Sequence, residues 1–313
     1  MMENWEQRKK MVSPPFLQKG SVIRIVSPAG KCEAEPLEGM VRWLKAEGHQ
    51  VDLGRHAAGS WFQYAGTDRE RLTDLQEALD DPAVNAILCS RGGYGTIRLL
   101  EHLDFRGFRK HPKWVAGYSD ITLLHSLLHR KGFRSVHGAM CRHSLGEDGL
   151  PNESFLRLMA LLRGDKNPLT WPRHPLNRPG MTTAPLTGGN LSLLYALAGT
   201  PYEADTRGKI LFIEEIGEYL YHLDRMMVSL RLAGKLKPLA GLVVGHFTGM
   251  KDNDDPFGNQ AEEIILDAVR EYGFPVAFGF PAGHAQPNFP LVSGGTYTLI
   301  TGSEGCSLVP ADF

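Results

Sequence analysis

Four stretches of this chain combine residue types and spacings that could carry out acyl-transfer chemistry. In Trp114-Val115-Ala116-Gly117-Tyr118-Ser119-Asp120-Ile121 a short apolar run ends at Gly117, and an apolar helical pattern (Ile121, Leu123, Leu124, Leu127, Leu128) starts just after Asp120. The spacing predicts a sharp strand-to-helix turn with Ser119 at its apex. Such a turn exposes a hydroxyl at the carboxyl end of a sheet and aims the first helical N–H groups at any oxyanion formed there. Serine and aspartate are also preferred helix N-caps, so Ser119 needs partners before it counts as a nucleophile.

The second stretch, Ser90-Arg91-Gly92-Gly93-Tyr94-Gly95, also follows an apolar run. Its glycines would let backbone N–H groups come close to an oxyanion. It lacks the full G-x-G-x-x-G spacing and the Gly-Lys-Ser/Thr of a nucleotide site, and a plain tight turn accounts for the same residues. Arg91 beside it could supply the positive charge that a free carboxylate requires, or could pair with an acid such as Asp120.

The third, Ile210-Leu211-Phe212-Ile213-Glu214-Glu215, sets two acids at the end of an apolar strand, where a carboxylate can orient an imidazole. Adjacent strand residues face opposite ways, so only one of the two can do so, and replacing the other should change turnover little. The same acids could simply open the next helix, where its dipole favours them. The fourth, Gly283-His284-Ala285-Gln286-Pro287-Asn288-Phe289-Pro290, holds a histidine in a proline-flanked loop of restricted conformation, as a general base requires. His137, at another predicted strand end, could line a pocket instead.

Other groups carry less. His125 and His129 lie four apart on one helical face without a third metal ligand. Asp252-Asn253-Asp254-Asp255 lacks the glycine and closing acid of a calcium loop.

The elements that must position these residues follow from hydrophobic periodicity. Strands are predicted at 22–26, 51–53, 84–89, 114–117 and 135–137, with helices between them: one through Leu37 to Leu44, one capped by Thr67 or Asp68, one after Gly95 and one ending at Lys131. This alternation predicts an α/β fold whose N-terminal half is a doubly wound parallel sheet, with sites beyond the strands' carboxyl ends. From about Arg163 to Met181 the chain is rich in proline and arginine with no sustained period. Beyond it, Gly188-Gly189-Asn190 is expected to open a helix through Leu197. Strands near 209–214, 239–244, 276–278, 297–300 and 307–309, with helices at 219–233 and 261–272, predict a smaller mixed α/β half. The expected organisation is an N-terminal extension (1–16), a nucleophile domain (17–150), a linker (151–183) and a C-terminal domain (184–313).

The 313 residues are 42% hydrophobic with a net charge of −1, which gives no electrostatic case for nucleic acid or an anionic membrane. The charged N-terminus reads as neither signal peptide nor anchor, and no apolar run reaches the roughly 18 residues of a membrane span. Four scattered cysteines without a Cys-x-x-Cys pair suggest reduced thiols in a cytoplasmic protein.

Taken in order, Ser90 to Gly95, Gly117-Tyr118-Ser119-Asp120, His137-Gly138, Gly188-Gly189-Asn190, Ile213-Glu214-Glu215, Asp224-Arg225-Met226 and Gly283-His284 resemble one family, the serine-type LD-carboxypeptidases (muramoyltetrapeptide carboxypeptidases), which include the microcin C immunity proteins. The resemblance runs from about Leu17 to the end. It implies a flavodoxin- or glutamine-amidotransferase-like first domain and a Ser–Glu–His triad divided between the domains, matching Ser119, Glu214 and His284. It implies an oxyanion hole from the N–H groups of Asp120 and the Gly92-Gly93 turn. It also implies no metal or organic cofactor, a peptide or muropeptide substrate, and a homodimer. The elbow departs from the G-x-S-x-G of α/β-hydrolases, with Ile121 in place of the second glycine. Release of terminal D-alanine from an L,D-linked murein tetrapeptide is the leading expectation. A microcin-immunity-like amidase acting on peptidyl-nucleotides is the alternative, and would need an aromatic platform such as Trp171, Trp61 or a tyrosine. A non-catalytic peptide-binding module is the third.

Overall fold

The computed structural model describes residues 11–313, so most of the N-terminal extension lies outside the described residues. The first half alternates strand and helix: β1 (Val22–Val26), α1 (Ala34–Ala46), β2 (Gln50–Leu53), α2 (Asp68–Asp80), β3 (Val84–Cys89), α3 (Arg106–Lys110), β4 (Trp114–Gly117), α4 (Thr122–Lys131) and β5 (Ser135–His137). Local chemistry explains several boundaries. Thr67 caps α2 in a reciprocal box with Glu70, and Gly132, in the left-handed region, ends α4. After the Gly92–Gly95 turn, where a helix is predicted, the chain forms a 3-10 helix, Thr96–His102, ahead of the short α3.

The strands β2, β1, β3, β4 and β5 are parallel in that spatial order, so the chain reverses direction across the sheet between β1 and β3. A ligand crevice is expected outside the strand ends at such a switch point. The sheet is not purely parallel. Its sixth strand, β11 (Leu291–Ser293), comes from the far end of the chain and pairs antiparallel with β5, Leu291 opposite His137. Three residues, Leu291-Val292-Ser293, in a loop-rich tail carry no local sign of that pairing, which is set by what the strand meets in space.

The second half holds β7 (Gly180–Asn190), α6 (Leu191–Leu197), β8 (Ile210–Ile216), α7 (Leu220–Leu232), β9 (Gly241–Thr248), α8 (Ala261–Ala268), β10 (Val276–Ala277), β12 (Thr296–Thr301) and β13 (Cys306–Asp312). Its seven-stranded sheet is mixed: β10, β9, β8 and β7 run parallel, then β12, β13 and β6 (Leu169–Trp171) continue antiparallel. Gly188 and Gly189 close the strand β7 in pairing with β8, and Asn190, opposite Glu214, is the N-cap of α6, so the predicted helix starts directly after these three residues and ends at Leu197. The segment 151–183 also carries regular structure, with α5 (Glu153–Leu162), β6 and the start of β7 inside it.

The two halves share an apolar core. Residues Thr122 to Leu128 of α4 are all buried, which suits a helix packed between the first sheet and β7 with α6. No helix among the described residues is long and apolar enough to cross a membrane.

Candidate active site

The end of β4 delivers Ser119 in a costly conformation. Tyr118 is extended, Ser119 turns into the left-handed region at φ +61°, and a 3-10 turn, Ser119–Ile121, leads into α4. A non-glycine residue held there stores roughly 1–2 kcal/mol of backbone strain, and such strain is common where a side chain must point out of the regular path. The hydroxyl reaches across to the other half of the molecule, where His284 Nε2 lies 3.0 Å from Ser119 Oγ. His284 Nδ1 lies 2.6 Å from Glu214 Oε2. Glu214 is fully buried at the end of β8, and its other oxygen has no protein hydrogen-bond partner among the described residues, so its charge is committed to the imidazole.

The loop that carries His284 is clamped on several sides. Asn288 accepts the Gly283 N–H at Oδ1 (3.0 Å) and gives its own N–H to Ser154 Oγ of α5 (2.7 Å). The register between β8 and β9 shifts beside Glu214, and there the His246 N–H donates to the Ala282 carbonyl at 2.8 Å. A bulge that re-aims a strand end is a common device next to a functional side chain.

Adjacent acids have different surroundings. Glu215 points away from His284. Its Oε1 accepts from Asn190 Nδ2 (2.8 Å) and the Ile216 N–H (2.9 Å), and its Oε2 accepts the Ser192 N–H (2.7 Å) at the start of α6. Burial raises its pKa against those hydrogen bonds. Glu215 is thus a buried hub that ties β7 to α6, a structural task that its place at a strand end does not reveal in the sequence.

The Gly92-Gly93 turn sits against the elbow. A Cβ on Gly92 would lie 2.8 Å from Ser119 Cβ, 3.0 Å from Ser119 Oγ and 3.4 Å from the Asp120 nitrogen. The space that a side chain would fill is thus bounded by the hydroxyl and a helix-start N–H, where a tetrahedral oxyanion would need its donors. The Asp120 carboxylate fastens the two segments together by accepting the Thr96 N–H at Oδ2, 2.8 Å. Burial raises its pKa, opposed by Thr96 and by the charge of Arg71. Arg91 does not pair with Asp120. Its Nη1 donates to the Lys31 carbonyl at 2.7 Å, and among the described residues no carboxylate lies within ion-pair distance of it. Its neighbour Arg142, by contrast, is paired with Glu33 at 3.0 Å.

The remaining candidates lie outside the Ser119–His284–Glu214 hydrogen bonds. His137 is buried, edge-on to Tyr118 and Phe212, and burial followed by the charges of His125 and His284 keeps it neutral. His125 is satisfied by Ser135 Oγ and the Gly117 carbonyl, both at 2.9 Å. Trp171 is 6% exposed and donates to the Phe278 carbonyl, so it can offer no stacking face, whereas Trp61, Phe62 and Tyr94 are exposed. Among the described residues no group of three or more His, Cys, Asp or Glu could hold a metal ion. Sequence reasoning did not single out Thr122, Ser154 or Asn288, whose short polar side chains have no spacing that sets them apart from ordinary turn and cap residues.

Burial alone would lower the His284 pKa, but the hydrogen bond and charge of Glu214, with the charge of Glu215, outweigh it and raise the pKa above 6.5. A reaction that uses neutral His284 as its base should therefore lose kcat/KM as pH falls through a midpoint above 6.5. An acidic limb centred at or below the ordinary imidazole value would contradict that electrostatic picture.

A strained serine facing an imidazole that is backed by a buried carboxylate, between two α/β halves, is the build of a serine hydrolase. Residues 23–138 match the LD-carboxypeptidase N-terminal domain and residues 183–299 the LD-carboxypeptidase C-terminal domain. The chain is 36% identical to the probable murein peptide carboxypeptidase of Bacillus subtilis, over 93% of this chain and 92% of that one. The crystal structure of muramoyltetrapeptide carboxypeptidase from Oxalobacter formigenes superposes with a TM-score of 0.85 at 30% identity, covering 94% of this chain and 99% of that one. MccF in complex with glutamyl sulfamoyl guanosine shares the fold (TM-score 0.83, 19% identity, 97% and 100% covered). The protein belongs to the LD-carboxypeptidase family and is a serine-type hydrolase.

Proposed function

We propose that this protein is a serine carboxypeptidase that hydrolyses the L,D-peptide bond of murein tetrapeptides and releases the terminal D-alanine. The observation that carries this reading is the chain of contacts Ser119–His284–Glu214, at 3.0 and 2.6 Å. The names of the B. subtilis and O. formigenes relatives support the substrate class. In this reading the segment 17–150 supplies the nucleophile, and the base and its carboxylate come from 184–313.

His284 takes the Ser119 proton as Oγ attacks the carbonyl carbon before the terminal residue. The Asp120 N–H and those of the Gly92-Gly93 turn stabilise the oxyanion, each donor contributing roughly 3–4 kcal/mol in comparable sites. His284⁺, held by Glu214, then protonates the leaving amine of D-alanine. Water, deprotonated by the same imidazole, cleaves the acyl-enzyme and restores the Ser119 hydroxyl.

A carboxypeptidase must also recognise the free terminal carboxylate. Arg91, beside the oxyanion turn and without a carboxylate of its own among the described residues, is the cation proposed for that task. The test compares an L,D-linked tetrapeptide with its C-terminal amide. The acid should be cleaved at least about tenfold faster, since a hydrogen bond to a charged group contributes roughly 1.5–3 kcal/mol. Arg91→Ala should remove most of that difference. Equal rates on acid and amide in the parent protein would rule out a carboxypeptidase and leave a serine amidase of the same fold.

The microcin-immunity-like alternative loses Trp171 as a platform, and a panel with peptidyl-nucleotide analogues separates it from the leading reading. A fluorophosphonate label on Ser119 separates either enzyme from a non-catalytic binder. Four buried cysteines without a disulfide support a reducing, cytoplasmic setting, while a homodimer rests on the family resemblance.

A further inference from the structure

Ser119 and its two partners lie in different halves of the chain, so their contact depends on how the halves are registered. A hydrogen bond crosses between the halves within one helical turn of Ser119. Thr122, fully buried in the first turn of α4, accepts the Asn190 N–H at Oγ1, 3.0 Å away. Asn190 gives its side-chain N–H to Glu215, 2.8 Å away, and Glu215 is bonded in the chain to Glu214. Glu214 holds His284, and His284 returns to Ser119. These contacts close a ring through both halves, and Thr122 is its member on the serine's own helix that moves no proton.

The approach at Thr122 is close. Gly189 has φ +144°, and a Cβ there would lie 2.5 Å from Thr122 Oγ1, so any side chain would push α4 away from β7. Further along α4, His129 Nδ1 meets Thr187 Oγ1 at 3.2 Å and fixes the distant end of the helix. Thr122 governs the end that carries the serine.

We propose that Thr122 is a positioning residue: its hydroxyl, docked on the Gly189-Asn190 backbone, sets the register of the serine elbow against the strand that carries Glu214. The inference rests on the reading of Ser119 as the nucleophile. Without the hydroxyl, the Asn190 N–H is buried with no acceptor and the elbow is free to shift. A displacement on the order of 1 Å at a reacting pair costs roughly a hundredfold in rate.

The test is the inactivation of the full chain by a fluorophosphonate, compared for the parent protein, Thr122→Val and Thr122→Ser. The inactivation rate constant at saturation should fall roughly 10- to 100-fold in Thr122→Val, with the half-saturation concentration unchanged within about twofold. Thr122→Ser, which keeps the acceptor, should stay close to the parent. Should Thr122→Val not fold, Thr122→Ala takes its place in the same comparison. A folded hydroxyl-free variant that reacts at the parent rate overturns the proposal. So does a Thr122→Ser variant as slow as the hydroxyl-free one, which would assign the effect to the methyl group. A loss confined to half-saturation overturns it as well. Failure of the parent protein to label at Ser119 would instead overturn the nucleophile reading.

Discussion

Ser119→Ala is expected to lower turnover by roughly a million-fold and to leave the fold intact. The size follows from removing a nucleophile that acts as a unit with its base: once it is gone, the remaining partners recover almost nothing, and only binding and oxyanion stabilisation persist. The fold should survive because the Ser119 side chain has one hydrogen-bond partner among the described residues, His284, and gives α4 no side-chain cap. Ser119→Gly adds a sharper check. Both variants should be inactive, but the glycine variant should be the more stable by about 1 kcal/mol, since glycine adopts φ +61° without the cost that alanine retains. Turnover and denaturant unfolding on the same purified preparations test both statements. Turnover retained in Ser119→Ala would remove the nucleophile assignment.

Glu214→Gln is expected to reduce kcat by roughly 10³- to 10⁴-fold with little change in melting temperature. The amide keeps the size and one acceptor, but it cannot stabilise the imidazolium that forms when His284 takes the serine proton. It also invites the wrong tautomer of the ring. Glu215→Gln should behave differently, although the residue is next in sequence and just as buried. Its two oxygens face three N–H donors, so an amide NH2 must turn one hydrogen-bonded position into a donor–donor clash. The expected result is a loss of roughly 1–3 kcal/mol in stability. The accompanying fall in kcat should be smaller than for Glu214→Gln. Parallel measurements of kcat and unfolding separate the two roles. The reverse ranking in kcat would show that Glu215, not Glu214, serves the imidazole.

Much of the site is legible in the sequence. The apolar run ending at Gly117 and the helical pattern from Ile121 placed Ser119 at a strand-to-helix turn, and the chain does turn there. Strand alternation implied that only one of Glu214 and Glu215 meets the histidine; the resemblance pointed to Glu214, and Glu214 is the acid in contact. Gly188-Gly189-Asn190 precedes the predicted helix, and α6 does begin at Leu191 with Asn190 as its N-cap. That the two glycines also belong to β7 is not visible locally, since β8 supplies the hydrogen bonds and Thr122 allows no side chain at 189.

What the sequence determined by itself is the set of local elements and the residue types at their ends. Periodicities of two and 3.6, caps such as Thr67, and stops such as Gly132 depend on near neighbours and so leave a trace in the order of residues. Only the tertiary structure decided how those ends meet. Ser119 and His284 are 165 residues apart, Thr122 and Asn190 are 68 apart, and β11 crosses from the tail of the chain to the first sheet. Such contacts are selected by the packing of whole elements, with α4 held between two sheets, and no residue next to either partner records them. The strain at Ser119, the hub at Glu215 and the seat of Thr122 on Gly189 arise from that packing, because each is a response to a group that is distant in sequence and adjacent in space.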